Sequence, residues 1–308
     1  MPHAPEPGAV PVAGSLLRWY RRHGRALPWR ATRDPYRILL SETMLQQTQV
    51  QRALAAYPRF LRRFPSLRSL ARAPLRDVLI AWRGMGYNNR AVRLHALARH
   101  VRANGGRLPR TVPELQALPG IGRYTAHAVL AFAFGHHLPV VDVNVRRVLS
   151  RLFWTMPSPS ALQPEAAVWE HAAALLPRKR AYDWNQALMD LGALVCTARR
   201  PRCTECPVAA LCRSRPHMDR AAPVPVKREP SFRGVPRRIY RGRILEALRA
   251  LPPGTSMASH ELGRRVIRGF SARNARWLDS LLQAMARDGL LQLKRDGSPH
   301  GSRARLAS

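Results

Sequence analysis

Leu118-Pro-Gly-Ile-Gly-Arg-Tyr-Thr-Ala126 is the stretch from which the rest of the chain can be read. A tight Gly-x-Gly turn at Gly120 and Gly122, leading directly into a helix, aims backbone N–H groups at one point, an arrangement suited to a phosphate. A lone Gly-x-Gly is weak, since a plain helix connector can look the same. Its flanks add the weight. Thr111-Val-Pro-Glu114 has capping-box spacing and starts a short helix that stops at Pro119-Gly120. On the other side a helix is predicted from about Arg123 to Phe134, ended by Gly135. Further out, short helical patterns follow one another from Leu16 to about Leu211 with no run of strand alternation. Asp34 and Pro35 suit the N-cap and first position of a helix that continues through Ile38, Leu39 and Leu45 to Val50. The fold class is all-α.

The chain has 308 residues, enough for two or three domains, and 46% apolar residues with 7 Trp, enough to bury cores. Its 52 basic residues against 18 acidic ones give a net charge of +34, which calls for an acidic partner: nucleic acid or an anionic membrane. The longest apolar run, Ala128 to Phe134, is far short of the roughly 20 residues a membrane span needs. The first residues have no charged segment leading into an apolar one, so a cytoplasmic protein without a membrane partner is expected. Residues 1–13 read as a disordered Pro/Ala/Gly lead. Only three of the basic residues are lysines (Lys179, Lys227, Lys294).

All four cysteines fall in one cluster, Cys196-x6-Cys203-x2-Cys206-x5-Cys212. Two disulfides would be odd in the cytoplasm, whereas four thiolates this close can share one metal centre. Their chemistry leaves zinc and an iron–sulfur cluster both open. Arg199, Arg200, Arg202, Arg213 and Arg215 surround them, so the loop presents positive charge. Residues 214–236 read as a Pro/Arg-rich linker, and 237–308 as a separate small domain. There a helix from about Arg238 to Ala250, a second capped by Ser259 and a third capped by Ser271 precede a hairpin with a turn at Asp296-Gly297. The order resembles a winged helix, and 15 basic against 5 acidic residues in 237–308 point to nucleic-acid contact.

Leu118 to Ala126 resembles the hairpin of the helix–hairpin–helix (HhH-GPD) base-excision DNA glycosylases, and the cysteine spacing is that of their [4Fe-4S] loop. Within that superfamily, Leu27-Pro-Trp-Arg30, Ser41-Glu-Thr-Met-Leu-Gln-Gln-Thr-Gln-Val50, Gly84-Met-Gly-Tyr87 and Asn185-Gln-Ala-Leu-Met-Asp-Leu-Gly-Ala193 resemble the adenine DNA glycosylases of the MutY type, in family order over about residues 15–213. The resemblance implies a six-helix barrel over 28–138 and an iron–sulfur domain built from 14–27 plus 139–213, with Cys196, Cys203, Cys206 and Cys212 holding the [4Fe-4S] cluster. It implies a monomer acting on double-stranded DNA that contains a mispaired or damaged base, and removal of adenine opposite 8-oxoguanine or guanine. Glu42 and Asp142 fall at the family's catalytic positions, and Asn144 is expected to hydrogen-bond Asp142. Gln46, Gln47 and Tyr87 match positions that fill the space of the extruded base, and Gly120 and Gly122 those that hold backbone phosphate.

Cleaving an N-glycosidic bond requires a proton on the leaving base and negative charge beside a sugar turning oxocarbenium-like. Glu42, among Ile38, Leu39, Met44 and Leu45, has the apolar surroundings that keep a carboxyl protonated for the first task; Asp142, beside Arg146 and Arg147, suits the second. The plain alternatives are a helix N-cap for Asp142 and a partly solvated charge for Glu42. Tyr124 stands where bifunctional relatives such as endonuclease III carry an attacking lysine, so a monofunctional glycosylase without lyase activity is predicted. Three features depart from the adenine enzymes: residues 237–308 replace their Nudix-like C-terminal domain, Val143 replaces a common glycine, and Asn88 a common second tyrosine. The competing readings are a same-fold glycosylase for thymine or uracil opposite guanine, or for hypoxanthine, and a non-catalytic DNA-binding iron–sulfur protein.

Overall fold

The computed structural model describes residues 9–218, 229–295 and 301–308. They form a mostly helical chain that divides into two compact units. Of the described residues, 9–39, 109–117 and 121–218 make up one, and 40–108, 118–120, 229–295 and 301–308 the other.

The first unit is built around α1 (Ala9–His23), α8 (Arg123–Ala133), α9 (Val143–Phe153), α10 (Glu165–Ala174) and α11 (Ala181–Leu194). Val145, Val148, Leu149 and Leu152 recur at helical spacing and face Trp184, Leu188 and Leu191 of α11 and Val168 and Trp169 of α10 in one buried cluster. Val12 and Leu16 join it from α1, and Val12 is only 1% exposed. The expected lead of 1–13 is therefore shorter: residues 9–13 are helical because the core needs Val12. Residues 1–8 lie outside the described part.

The second unit contains α3 (Val50–Arg63), α4 (Leu67–Arg72), α5 (Leu75–Ala81) and α6 (Asn89–Ala103). Phe60 meets the edge of Trp82 at 5.6 Å, and Leu70, Leu79, Leu94 and Val101 of the same helices are buried. The helix expected from Pro35 to Val50 is two helices, α2 (Pro35–Leu45) and α3, with Asp34 capping the first through the Arg37 N–H at 3.0 Å. The break has an identifiable cause. Arg90 sends Nη1 to the carbonyls of Thr43 (2.8 Å), Met44 (2.9 Å) and Gln46 (2.5 Å), taking the oxygens that would continue the helix.

Residues 229–295 and 301–308 contain a β1 (Ser231–Phe232)/β2 (Val235–Pro236) ribbon, α13 (Arg237–Arg249), β3 (Met257–Ala258), α14 (Ser259–Val266), α15 (Ala272–Arg287), β4 (Leu291–Arg295) and β5 (Ser302–Leu306). The three strands β3–β5–β4 are antiparallel, with Leu291 opposite Leu306 and Met257 opposite Ala304. Strand β3 and the ribbon were not foreseen, and the turn at Asp296-Gly297 lies outside the described residues. Phe232 of the ribbon stacks on Trp277 of α15 with centroids 3.9 Å apart, which orders the end of the expected 214–236 linker. Its start is also fixed: Ser214 Oγ accepts the Met156 N–H at 2.8 Å and donates to the Trp154 carbonyl at 2.7 Å.

The two units do not coincide with the expected domain spans. Helix α8 sits in the first unit, where Phe132 meets Tyr182 at 5.4 Å and His127 meets Trp169 at 4.7 Å. Residues 237–308 belong with α3–α6. Arg76 donates to the Leu251 carbonyl at 2.5 Å, Arg83 pairs with Glu246 at 2.5 Å, and Arg249 donates to the Leu79 carbonyl at 2.8 Å.

Candidate active site and metal centre

Asp142 immediately precedes α9 in extended conformation (φ −92°, ψ −176°), and its Oδ1 accepts the Val145 N–H at 2.7 Å. Asn144 Nδ2 donates to the other oxygen at 2.8 Å. Asp142 is thus an N-cap, and the cap is what makes it usable: the carboxylate is held in one orientation at the positive end of a helix, where negative charge is favoured. Arg147 donates Nη2 to Asn144 Oδ1 at 2.9 Å and to the Gly192 carbonyl at 2.7 Å, and Nε to the Cys196 carbonyl at 2.8 Å. A continuous set of bonds runs from the first cysteine through Arg147 and Asn144 to the carboxylate.

The stretch Asn185–Ala193 does physical work that its use as a sequence marker had not revealed. Asn185 accepts the Val140 N–H at 3.1 Å and donates to the Leu138 carbonyl at 3.0 Å, fixing the segment that leads to Asp142. Gly192 lets α11 approach the start of α9: a Cβ there would lie 2.7 Å from Asn144 Cβ. Asp190, fully buried, accepts from the Arg25 N–H (2.9 Å) and Nε (2.8 Å) and from both Arg30 Nη atoms at 2.8 Å. Burial pushes its carboxyl up, but the hydrogen bonds and charge of Arg30, with Arg25, overcome this and hold it below the usual range. Leu27-Pro-Trp-Arg30 is accordingly the partner of Asp190. The available signal was an aspartate inside an apolar helical pattern, which must find a cation.

In the second unit Glu42 lies in α2 and is 5% exposed, so the partly solvated alternative does not hold. Gln46 and Gln47 sit in the break after α2 rather than on a helix, and Gln47 has φ +53°. Tyr87, half-exposed in the α5–α6 loop, has φ +42°. Non-glycine residues rarely adopt this left-handed conformation, and it must be imposed by the surroundings. Arg90 imposes it on both loops: besides the Gln46 carbonyl it reaches the carbonyls of Met85 (3.3 Å), Gly86 (3.1 Å) and Tyr87 (3.2 Å). Burial lowers its guanidinium to about 10. The structure therefore joins Gln46 and Tyr87 through a residue that the sequence pattern did not single out.

Gly120 of the hairpin has φ +80°, and a Cβ there would come 3.0 Å from Arg93 Cβ, so this position requires glycine. Gly122 caps α8 in extended conformation, with nothing within 4 Å of where a Cβ would stand. That open space at a helix N-terminus is room for a phosphate oxygen. Tyr124 is half-buried in the first turn of α8.

The four cysteines form no disulfide and together line one cavity with Arg151 and Met218. Arg151 donates Nη1 to Cys196 Sγ at 3.4 Å, and its carbonyl accepts from Cys212 Sγ at 3.2 Å. Burial pushes the Cys206 thiol up to about 11 and that of Cys212 up as well, a cost that a bound cation removes by stabilising thiolate. Among the described residues no three His, Cys, Asp or Glu side chains converge tightly enough for a single ion. Four thiols lining one cavity are a donor set that an iron–sulfur cluster accepts.

Residues 40–173 match the HhH-GPD superfamily of base excision DNA repair proteins, and residues 196–212 match the iron–sulfur binding domain of endonuclease III. That second match, which contains all four cysteines, supports a [4Fe-4S] cluster in this loop. Adenine DNA glycosylase of Mycobacterium tuberculosis is 42% identical over 81% of this chain and 84% of its own length. The human adenine DNA glycosylase is 44% identical over 67% of this chain but only 40% of its own length. Among solved structures, a thermostable thymine-DNA glycosylase superposes with a TM-score of 0.63 at 33% identity, covering 68% of this chain and 97% of that one. With 42% identity to the Mycobacterium tuberculosis protein over most of both chains, and with Asp142 fixed by Asn144 and the cysteines gathered in one loop, the chain belongs to the adenine DNA glycosylase family of HhH-GPD base excision DNA repair proteins.

Proposed function

We propose that this protein hydrolyses the N-glycosidic bond of adenine mispaired with 8-oxoguanine or guanine in duplex DNA, acting in the cytoplasm as a monomer and leaving an abasic site. The observation that carries the reading is the Asp142 carboxylate, held by the Val145 N–H and by Asn144 at the start of α9. There it stabilises the sugar as it becomes oxocarbenium-like. Buried Glu42 supplies the proton to the leaving adenine, at N7. Tyr87 and the Gln46–Gln47 turn occupy the space left when the base is extruded, and the N–H groups at Gly120–Gly122 hold a phosphate. Tyr124 offers no amine and the first lysine is Lys179, so no Schiff-base step is available. The [4Fe-4S] cluster holds the arginine-rich 196–215 loop in shape and supplies positive charge toward DNA.

Single-turnover excision tests this on duplexes carrying adenine opposite 8-oxoguanine, adenine opposite guanine, thymine or uracil opposite guanine, and hypoxanthine opposite thymine, each with and without alkali. Strand breakage of the adenine duplexes only after alkali is expected. The solved thymine-DNA glycosylase keeps a second reading in view; excision confined to thymine or uracil would establish it and overturn the first. If Asp142→Asn binds DNA but excises nothing while the wild type cleaves, a purely DNA-binding role is excluded.

A further inference from the structure

Asn88 is the position at which the chain departs from the adenine enzymes' usual second tyrosine, and the structure gives it a different task. Asn88 directly follows Tyr87, and its side chain provides no cap for α6. Instead Asn88 Oδ1 accepts a hydrogen bond at 3.0 Å from Nη2 of Arg249, the last residue of α13. The same nitrogen donates to the Leu79 carbonyl at 2.8 Å, at the other end of the segment that forms the Tyr87 loop. The Arg249 side chain is 7% exposed, and Glu246 holds its Nη1 at 2.5 Å while also pairing with Arg83 at 2.5 Å. A long, flexible arginine is thus buried and locked at a single angle, with one donor bridging both ends of the loop. Inside, Arg90 grips the carbonyls of Met85, Gly86 and Tyr87. At its Asn88 end the loop is held by Arg249 of the 237–308 region.

We propose that Arg249 is a positioning residue for Tyr87: residues 237–308 clamp the loop through Asn88, so that the wedge is preset in its left-handed conformation before the duplex is opened. This rests on the proposed DNA-opening role of Tyr87. A loop preset in this way need not be ordered during base extrusion, which lowers the barrier to opening without adding contacts to closed DNA. A tyrosine at position 88 would offer no acceptor of amide geometry to the Arg249 fork.

Three variants of the full-length, cluster-loaded protein test this: Arg249→Met, Asn88→Ala and their combination, with Asn88→Asp retaining an acceptor. Two readouts are needed. Amide hydrogen exchange over residues 84–88, measured without DNA, reports the clamp alone. Duplex opening, followed by the fluorescence of a 2-aminopurine beside the mispair, and the single-turnover rate report its use. Hydrogen bonds to a charged group are worth about tenfold or more once broken. Exchange at 84–88 should therefore rise about tenfold in either single variant, with a matching fall in opening and in rate. The double variant should go no further, Asn88→Asp should behave as wild type, and affinity for intact duplex should stay unchanged. Additive effects, or unchanged exchange in Asn88→Ala, would overturn the clamp. Faster exchange with normal opening would retain the clamp and refute the role assigned to Tyr87. If Arg249→Met fails to fold, Asn88→Ala against Asn88→Asp still decides.

Discussion

Replacing Gly192 by alanine tests the account of Asp142 without touching any polar group. The new Cβ would stand 2.7 Å from Asn144 Cβ. Carbon atoms prefer about 3.5–4.0 Å, so α11 and the start of α9 must separate locally by about 1 Å. The bond that crosses between them, from Arg147 Nη2 to the Gly192 carbonyl and now 2.7 Å, would stretch by the same amount and pass out of hydrogen-bonding range, releasing the Arg147 group that holds Asn144 Oδ1 beside Asp142. A hydrogen bond to a charged group contributes about 1.5–3 kcal/mol, which corresponds to about ten- to a hundredfold in rate if it is used in the transition state. Overpacking should also reduce stability by about 1–3 kcal/mol. Single-turnover adenine excision at saturating protein reads the first effect and chemical denaturation the second. The rate should approach that of Asn144→Ala, while binding to uncleaved duplex is unchanged. A variant that loses the expected stability yet cleaves at the wild-type rate would refute the idea that Asn144 must be held against Asp142.

Two further perturbations examine the remaining supports. Asp190→Asn leaves Arg25 and Arg30 without their carboxylate, and breaking such a buried pair should destabilise by about 3–5 kcal/mol at neutral pH. Because the folded carboxyl sits below its unfolded value, the wild type's advantage is present above about pH 4 and disappears as the pH falls through the folded value; denaturation curves whose separation stays constant into acid would contradict this. Along α15, Arg273, Arg276, Ser280, Gln283 and Arg287 are all exposed at helical spacing, and three of the five are basic. Replacing the three arginines by alanine should flatten the logarithmic salt dependence of duplex binding by about 2.7 if each meets a phosphate, and an unchanged slope would remove that face from the DNA interface.

Where a feature depended on neighbours in sequence, it was legible beforehand. The four cysteines fall within one loop, Asp34 and Thr111 are local caps, and Asp142 has only to bond the third residue after it. What stayed hidden depends on partners far along the chain. Leu45 ends α2 because Arg90, 45 residues on, takes the carbonyls; the apolar spacing through Val50 carries no trace of that competition. Likewise Val12 makes residues 9–13 helical only because α9 and α11 offer it a core, and a Pro/Ala/Gly composition by itself reads as a loose lead.

The same reasoning explains why the family motifs were easier to recognise than to interpret. Asp190 and Gly192 stand out as parts of a pattern, yet their reasons lie in Arg30 and Asn144, on other segments. Asn88 is the converse case: against the family pattern it is only a departure, and it acquires a physical reason once Arg249 is seen to meet it from α13. A residue that breaks a motif is informative once its partner outside the motif is known: Arg249 meets Asn88 at one flank of the loop that carries Tyr87, which Arg90 holds from within.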